Sequence, residues 1–207
     1  GVLYMKSIIT ISRQYGSGGR FVAEKLAERL GVPFYDNKII TMAAKKSGYA
    51  ESIFENAEQT TTHSLLYSLS MFGSTAGVYG LPLSDKVYII QSDVIKKIAA
   101  EGPCVIVGRC ADYVLREQKN VINAFLHSDI EKRIARAVKY YGLDPEKAEN
   151  EIRKIDKKRA AYFGYYTGET WGEGTRYDIS LKTDAVGVEK CVDILVDFIN
   201  AKESEEK

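Results

Sequence analysis

The residues best placed to do chemistry form a glycine-rich turn near the start of the chain, Arg13-Gln-Tyr-Gly-Ser-Gly-Gly-Arg20. It follows a run rich in β-branched residues, Ser7 to Ser12, and precedes a helical pattern from Arg20 to Leu30. A strand, a tight turn and a helix in this order aim backbone N–H groups and a helix N-terminus at one point. The pattern therefore predicts a phosphate-binding site.

The turn departs from the standard phosphate-binding sequence G-x-x-x-x-G-K-[ST] in its charged and hydroxyl positions. Gly19, Arg20 and Phe21 stand where the lysine and the hydroxyl residues would follow the closing glycine. Arg20 can supply the missing charge, because its planar guanidinium can grip two phosphate oxygens, and Arg13 is a second candidate. The residues expected to contact the donor phosphates are Arg13, Gly16, Ser17, Gly18, Gly19, Arg20 and Phe21.

Phe21 has no oxygen with which to bind Mg²⁺, so we expect Ser17, a carboxylate such as Asp36, phosphates or water to hold the ion. Two other interpretations of the turn remain open. It could be a tight connection whose glycines serve packing alone. It could also bind a dinucleotide, with Asp36 as the acid that contacts the ribose, although the third glycine of G-x-G-x-x-G is missing.

Charged residues also follow two other predicted strands. Asp36 comes directly after Val32 to Tyr35, and Gly108-Arg109 follows Cys104 to Val107. Ligands of parallel α/β sheets bind at the carboxyl ends of the strands, so these side chains should converge with the glycine-rich turn. Asp36, Arg109 and the nearby Asp112 are therefore candidates for binding the second substrate.

Predicted strands alternate with predicted helices along most of the chain, which favours an α/β fold with a doubly wound, mainly parallel sheet. We expect a single domain over residues 1–207, with an acceptor-binding or insert region at roughly 37–100 and a lid at roughly 129–175. Residues 49–83 show no clear pattern beyond a helix-like run from Leu65 to Phe72. Asp144 and Pro145 form a typical N-cap and first-turn pair for a helix that reaches about Phe163.

The predicted lid carries charged residues at helical spacing: Arg133, Arg136, Arg153, Asp156 and Arg159. Such helices could close over bound phosphates and exclude water. Alternatively, they form a solvated pair with salt bridges such as Glu149 to Arg153. The aromatic residues of a predicted glycine-rich loop behind them could stack on a base or only pin the loop: Tyr162, Tyr165, Tyr166 and Trp171. His63 and His127 have no recognisable partner and are expected to be structural.

The composition excludes several classes of protein. The chain is 45% apolar and 28% charged, which is ordinary for a soluble domain. A net charge of +1 gives no general attraction to nucleic acid or to anionic membranes, and no apolar run approaches the roughly 20 residues of a membrane span. The three cysteines lack metal-ligand spacing, which fits reduced thiols in a cytoplasmic protein.

From Ile8 to Ile199, the chain resembles the cytidylate kinase-like family of nucleoside monophosphate kinases. Ile8 to Arg20 is similar to a variant phosphate loop of that group, and Leu30 to Asp36 is similar to its second strand. Val105-Ile-Val-Gly-Arg109 resembles the Gly-Arg-Asp element of cytidylate kinases, and Glu131 to Arg159 resembles their lid.

The resemblance implies a five-stranded parallel core, a monophosphate-binding region and a lid. It also implies transfer of the terminal phosphoryl group of ATP to a nucleoside monophosphate such as CMP, with Mg²⁺. Arg109 would grip the acceptor phosphate, and Arg136, Asp156 and Arg159 would act from the lid beside Arg20. Cys110 stands where cytidylate kinases carry an aspartate, for which Asp112 could substitute. Because the loop lysine and hydroxyl are missing, a regulatory nucleotide-binding module with little turnover is the alternative.

Overall fold

The computed structural model describes residues 5–59 and 82–205. In this part of the chain one sheet is formed by five strands: β1 (Ile8–Arg13), β2 (Phe34–Tyr35), β3 (Val105–Val107), β4 (Val121–His127) and β5 (Ile179–Lys182). The strand order is β2-β3-β1-β4-β5, and every neighbouring pair is parallel. The predicted α/β fold with a parallel sheet is therefore confirmed.

The described helices are α1 (Gly19–Leu30), α2 (Lys38–Ser47), α3 (Glu51–Gln59), α4 (Leu83–Glu101), α5 (Ala111–Val114), α6 (Ile130–Tyr141), α7 (Ala148–Thr167), α8 (Thr183–Val186) and α9 (Val188–Glu205), with a 3₁₀ turn at Gly174–Arg176. The helix predicted to end at Leu30 does end there. Gly31 stops α1 and Gly142 stops α6, each in the left-handed conformation that glycine adopts without strain. Within the described ranges, no helix is both long enough and apolar enough to cross a membrane.

Helices cover both faces of the sheet, because alternate strand residues point to opposite sides. Ile8 and Ile106 pack with α2, α3 and α4 on one face. Ile9 and Val105, their neighbours along each strand, pack with α1 and α9 on the other. Since both faces are buried, the central strands are mostly apolar, as parallel strands usually are.

Two details of the predicted lid are wrong. Asp144 does not cap α7: its side chain accepts the backbone N–H of Glu146 in a separate turn, and the helix begins at Ala148. The helix also continues to Thr167, so Tyr162, Tyr165 and Tyr166 lie on a helix and not in a loop. The predicted run Leu65 to Phe72 and His63 lie outside the described residues. The division into acceptor-binding region and lid stays a prediction.

Candidate functional site

The glycine-rich loop connects the carboxyl end of β1 to the first turn of α1, and two of its glycines have positive φ. Gly16 has φ +76° and Gly18 has φ +85°, a region that residues with a Cβ rarely adopt. A Cβ on Gly16 would lie 2.7 Å from the carbonyl oxygen of Arg133, and one on Gly18 would lie 3.2 Å from Cζ of Arg136. The loop needs glycine at both positions because α6 packs directly on it.

Ser17 braces the loop from inside. Its side chain is completely buried, and its hydroxyl accepts the N–H of Gly19 at 3.2 Å. The Ser17 carbonyl oxygen accepts a hydrogen bond from the hydroxyl of Thr183, at the start of α8. In this arrangement the Ser17 hydroxyl faces the interior of the loop, so its role as a metal ligand stays a prediction.

Side chains alone could not hold Mg²⁺ in the described part of the chain, and the ion would need phosphate and water oxygens as well. No group of three or more His, Cys, Asp or Glu side chains there is arranged to hold a metal ion. Asp36, the carboxylate expected to help hold the ion, is engaged by two arginines: Arg20 Nε lies 3.0 Å from its Oδ2, and Arg13 Nη2 lies 3.8 Å from its Oδ1. The described side chains therefore do not supply a set of Mg²⁺ ligands.

Three arginines of α6 and α7 bind carbonyl oxygens of β1 and the loop. Arg133 Nε donates to the Tyr15 oxygen at 2.8 Å, and Arg136 Nη1 donates to the Gly16 oxygen at 2.7 Å. Arg159 Nη1 donates to the oxygen of Arg13 at 3.0 Å. The two predicted lid helices are therefore docked on the loop through three guanidinium groups, of which that of Arg159 also lines the two clefts at the carboxyl ends of β1 and β3.

Asp156 joins the same contact from α7. Its Oδ1 accepts the backbone N–H of Tyr15 at 2.8 Å, its Oδ2 pairs with Arg133, and Arg159 lies 3.6 Å away. Burial raises the pKa of Asp156, while the Tyr15 N–H and the two arginines oppose that rise. Arg153, predicted to share this side of the helix, is exposed and pairs with Glu149 instead.

Two clefts open at the carboxyl ends of β1 and β3. The first encloses about 570 Å³ and is lined by Ser12, Arg13, Val107, Gly108, Arg109, Cys110, Arg159, Tyr162, Phe163 and Trp171. The second encloses about 590 Å³ and is lined by Arg13, Gln14, Tyr15, Gly16, Gly18, Gly19, Arg20, Asp36, Asn37, Tyr141 and Arg159. We call them the strand cleft and the loop cleft. Both are lined by Arg13 and Arg159, so the two clefts meet at these side chains.

Arg109 enters the strand cleft from a strained turn. Gly108, Arg109 and Cys110 have φ values of +72°, +58° and +54°, so the chain leaves β3 through three successive left-handed residues. For a residue with a Cβ this conformation costs about 1–2 kcal/mol. Such strain is concentrated at functional sites, where the surrounding structure holds it in place.

Asp112 lies behind this turn and is not among the described residues that line either cleft. It is 4% exposed and pairs with Arg176 at 3.4 Å. Burial raises its pKa, and Arg176 lowers it in part. Arg176 also pairs with Glu169. The pair therefore ties the segment after α7 to α5, and a direct substrate contact by Asp112 stays a prediction.

The strand cleft has an aromatic wall that the sequence analysis left undecided. Tyr162, Phe163 and Trp171 line it, and Trp171 packs edge-on against Phe125 with ring centroids 5.5 Å apart. Tyr166 instead stacks on Tyr88 of α4 at 4.1 Å and pins the two helices together. Sequence reasoning missed Thr183 and Arg176 altogether, since neither belongs to a local pattern.

A third groove lies outside the loop, between α1, α6 and the start of α9. It encloses about 1020 Å³ and is lined by Phe21, Lys25, Lys132, Ala135, Arg136, Lys139, Tyr140, Val188 and Glu189. Phe21, in the first turn of α1, packs edge-on against Tyr140 with centroids 5.4 Å apart. The groove reaches the loop through Arg136.

The parallel sheet, the glycine-rich loop at its central strand and the docked helices define a protein with a P-loop kinase type of fold. A family model for the cytidylate kinase-like family matches residues 8–185, and the chain belongs to that family. A comparison with curated proteins finds no match.

Solved structures agree with the fold. The crystal structure of an uncharacterized protein from Eubacterium ventriosum is 29% identical with a TM-score of 0.72, covering 94% of this chain and 99% of that one. Shikimate kinase from Acinetobacter baumannii, in complex with shikimate, is 14% identical with a TM-score of 0.53, covering 95% and 94%. Shikimate kinase from Bacteroides thetaiotaomicron is also 14% identical with a TM-score of 0.53, covering 94% and 98%. At this identity the two shikimate kinases show the fold alone.

Proposed function

We propose that this protein transfers the terminal phosphoryl group of ATP to a nucleoside monophosphate, CMP-like, or to a related small phosphate acceptor. The observation that carries the proposal is the meeting of the loop cleft and the strand cleft at Arg13 and Arg159. In-line phosphoryl transfer needs a donor site and an acceptor site that share one boundary, with positive charge at that boundary.

The donor phosphates bind in the loop cleft. The loop ends at the N-terminus of α1, where backbone N–H groups and the helix dipole attract anions. The groove beside Phe21 and Tyr140 continues outward from the loop and offers aromatic surface to the donor nucleoside. Lys132 and Lys139 give that groove a positive rim.

The acceptor binds in the strand cleft. Arg109 and Arg159 present guanidinium groups on one side, which suits a phosphate dianion because each can donate two parallel hydrogen bonds. Tyr162, Phe163 and Trp171 supply an aromatic wall on which a base can stack. An acceptor with an anionic group at one end and a flat ring at the other matches both features.

The protein stabilises the transition state through positioned charge, and no covalent intermediate is needed. Arg136 and Arg159 already lie against the loop, and Asp156 holds Arg133 and Arg159 in their orientations. Because the described side chains do not form a Mg²⁺ site by themselves, the protein's own share of charge stabilisation comes from its arginines.

A panel assay tests the proposal. ATP and GTP are each incubated with CMP, UMP, AMP, GMP and non-nucleotide acceptors, and the phosphorylated products are separated and quantified. We expect turnover with ATP and at least one monophosphate. Arg159→Gln should lower kcat/KM about 100-fold, because it removes a charge shared by both clefts.

Arg153→Gln is the matched control, since Arg153 lies on the same helix but pairs with Glu149 in solvent. Its kcat/KM should stay at the level of the wild type. If the protein binds ATP tightly and phosphorylates no acceptor in the panel, the regulatory nucleotide-binding module becomes the better interpretation.

A further inference from the structure

The loop differs from the standard sequence at two related positions. At one, a glycine is replaced by a basic residue, and at the other, a basic residue is replaced by a glycine. In G-x-x-x-x-G-K-[ST] the first position is glycine and the residue after the closing glycine is lysine. With Gly18 as the closing glycine, this chain has Arg13 at the first position and Gly19 at the second. The basic residue and the glycine have changed places.

The structure gives a steric reason for the pairing of the two changes. A Cβ on Gly19 would lie 2.6 Å from Cβ of Arg13 and 3.1 Å from its Cγ, so the base of the Arg13 side chain occupies the space that a residue at position 19 would need. A Cβ on Gly108 would likewise overlap the guanidinium of Arg13. The base of the Arg13 side chain therefore requires glycine at position 19, whereas the guanidinium beside Gly108 could shift.

The Arg13 side chain carries its charge to the boundary between donor and acceptor. It is 20% exposed, it lines both clefts, and its Nη2 lies 3.8 Å from the carboxylate of Asp36. Arg20 is 51% exposed and pairs with the same carboxylate, but it lines the loop cleft alone. Of the two arginines expected to replace the lysine, Arg13 is the one at the boundary.

We propose that Arg13 and Gly19 represent a reciprocal exchange of a glycine and a basic residue. The exchange moves the cation of the phosphate loop from the start of α1 to the end of β1. There, Arg13 contacts the phosphoryl group in transfer. This rests on the proposed function. The bond from the terminal phosphorus to the bridging oxygen of ADP breaks, and a bond to an acceptor phosphate oxygen forms. Arg13 donates hydrogen bonds to the transferring oxygens throughout and gives up no proton.

A thermal unfolding cycle tests the steric exchange without any substrate. In a helix, alanine is normally more stable than glycine, so Gly19→Ala should raise the Tm where space permits. We expect Gly19→Ala to lower the Tm clearly when Arg13 is present and by less in the Arg13→Gly background, where the nearest remaining atom to the new Cβ is Cβ of Leu126 at 3.3 Å. Equal shifts in both backgrounds would overturn the exchange, because residues that do not interact have additive effects.

A kinetic comparison tests whether the positive charge of Arg13 contributes to turnover. Arg13→Gln should lower kcat about 10²–10³-fold, as removal of one transition-state hydrogen-bond donor does in other enzymes. The double variant Arg13→Gly with Gly19→Lys should recover part of the turnover that Arg13→Gly loses. Arg29→Gln, an exposed α1 arginine paired with Asp193, is the control and should keep the turnover of the wild type. Wild-type turnover in Arg13→Gln would overturn the role.

The two proposals fail in different ways. If the wild type phosphorylates no acceptor, the proposed function fails, while the unfolding cycle still decides the exchange. The role of the Arg13 charge is then tested by measuring the affinities for ATP and ADP by calorimetry. Arg13→Gln should weaken the binding of ATP at least about tenfold more than the binding of ADP, because the guanidinium would contact only the terminal phosphate of ATP. An equal loss of affinity for the two nucleotides would contradict the proposed contact with the terminal phosphate.

Discussion

The carboxylate of Asp156, in α7, accepts the backbone N–H of Tyr15, in the glycine-rich loop, at 2.8 Å. A negative oxygen from this helix of the predicted lid is thus bound to the kind of loop N–H group that binds phosphate in other proteins. The same carboxylate pairs with Arg133 and Arg159. The docking of the lid helix and the shape of the loop are therefore joined through one side chain.

Asp156→Ala should lower the free energy of unfolding by about 3 kcal/mol, because it leaves Arg133 without its carboxylate in a site where that arginine is 8% exposed. Urea unfolding followed by circular dichroism measures the change. Glu149→Ala is the control on the same helix: its pair with Arg153 is exposed and should contribute less than about 0.5 kcal/mol. Similar losses in both variants would contradict the role of Asp156.

Gly16→Ala should destabilise the protein by about 2–4 kcal/mol, since alanine is strained at this φ and its Cβ would also meet the Arg133 backbone oxygen at 2.7 Å. Gly31→Ala separates the two effects. Gly31 has φ +66° with nothing within 4 Å of a Cβ, so strain alone should cost about 1 kcal/mol. Chemical unfolding of both variants gives the difference, and equal costs would show that α6 does not press on the loop.

Arg109→Gln should raise the KM of the acceptor about 10- to 100-fold, because a hydrogen bond to a charged group contributes about 1.5–3 kcal/mol. The KM of ATP should change little, since Arg109 lines the strand cleft and not the loop cleft. Initial rates at varied acceptor and donor concentrations separate the two constants. Arg116→Gln, which alters a nearby arginine packed over the Tyr113 ring, should leave both unchanged. A larger increase in the KM of ATP than in the KM of the acceptor would contradict the assignment of Arg109 to the acceptor site.

The fluorescence of Trp171 should report acceptor binding. It is the single tryptophan of the chain and lines the strand cleft, so a base that stacks there changes its surroundings directly. Titration with CMP should alter the emission to saturation, whereas inorganic phosphate at the same concentration should have a much smaller effect. A spectrum unchanged by any acceptor that the protein phosphorylates would show that the base binds elsewhere.

The buried pair of Asp112 and Arg176 should make stability depend on pH in an unusual direction. Burial raises the pKa of Asp112 above 3.8, so the folded state holds this proton at pH values where the unfolded state has lost it. Its contribution is therefore fully present below pH 3.8 and declines as pH rises through the raised pKa.

The comparison with Asp112→Asn isolates this effect. The free energy of unfolding of the wild type minus that of the variant should fall as pH rises from about 4 toward neutrality, and then level off. Urea unfolding at a series of pH values measures the difference. A difference that rises over this interval would mean that Arg176 outweighs burial and holds the pKa below its usual value.

Much of the fold followed from local rules. β-Branched runs predicted the central strands, and glycine predicted the end of α1. The alternation of strands and helices predicted a parallel sheet, because a helix between two strands returns the chain to the end of the sheet where the first strand began. The same rule predicted that the loop and Arg109 would converge, and the clefts do join them.

Other contacts could not be predicted, because they join residues far apart in the chain. Thr183 braces Ser17, Arg176 holds Asp112, and neither pairing leaves a periodic trace in the sequence. The same holds for the stacking of Tyr166 on Tyr88, which depends on how two helices pack. The start of α7 was also missed, because Asp144 satisfies its own turn before the helix begins.

The sequence by itself determined that a glycine-rich loop stands at the end of the first strand, with arginines in place of the usual lysine. Only the tertiary structure decided which arginine reaches the boundary of the two clefts. Either side chain is long enough to reach a phosphate. The choice depends on space and charge supplied by distant residues: Gly108 leaves room for Arg13, and Asp36 pairs with Arg20 within the loop cleft.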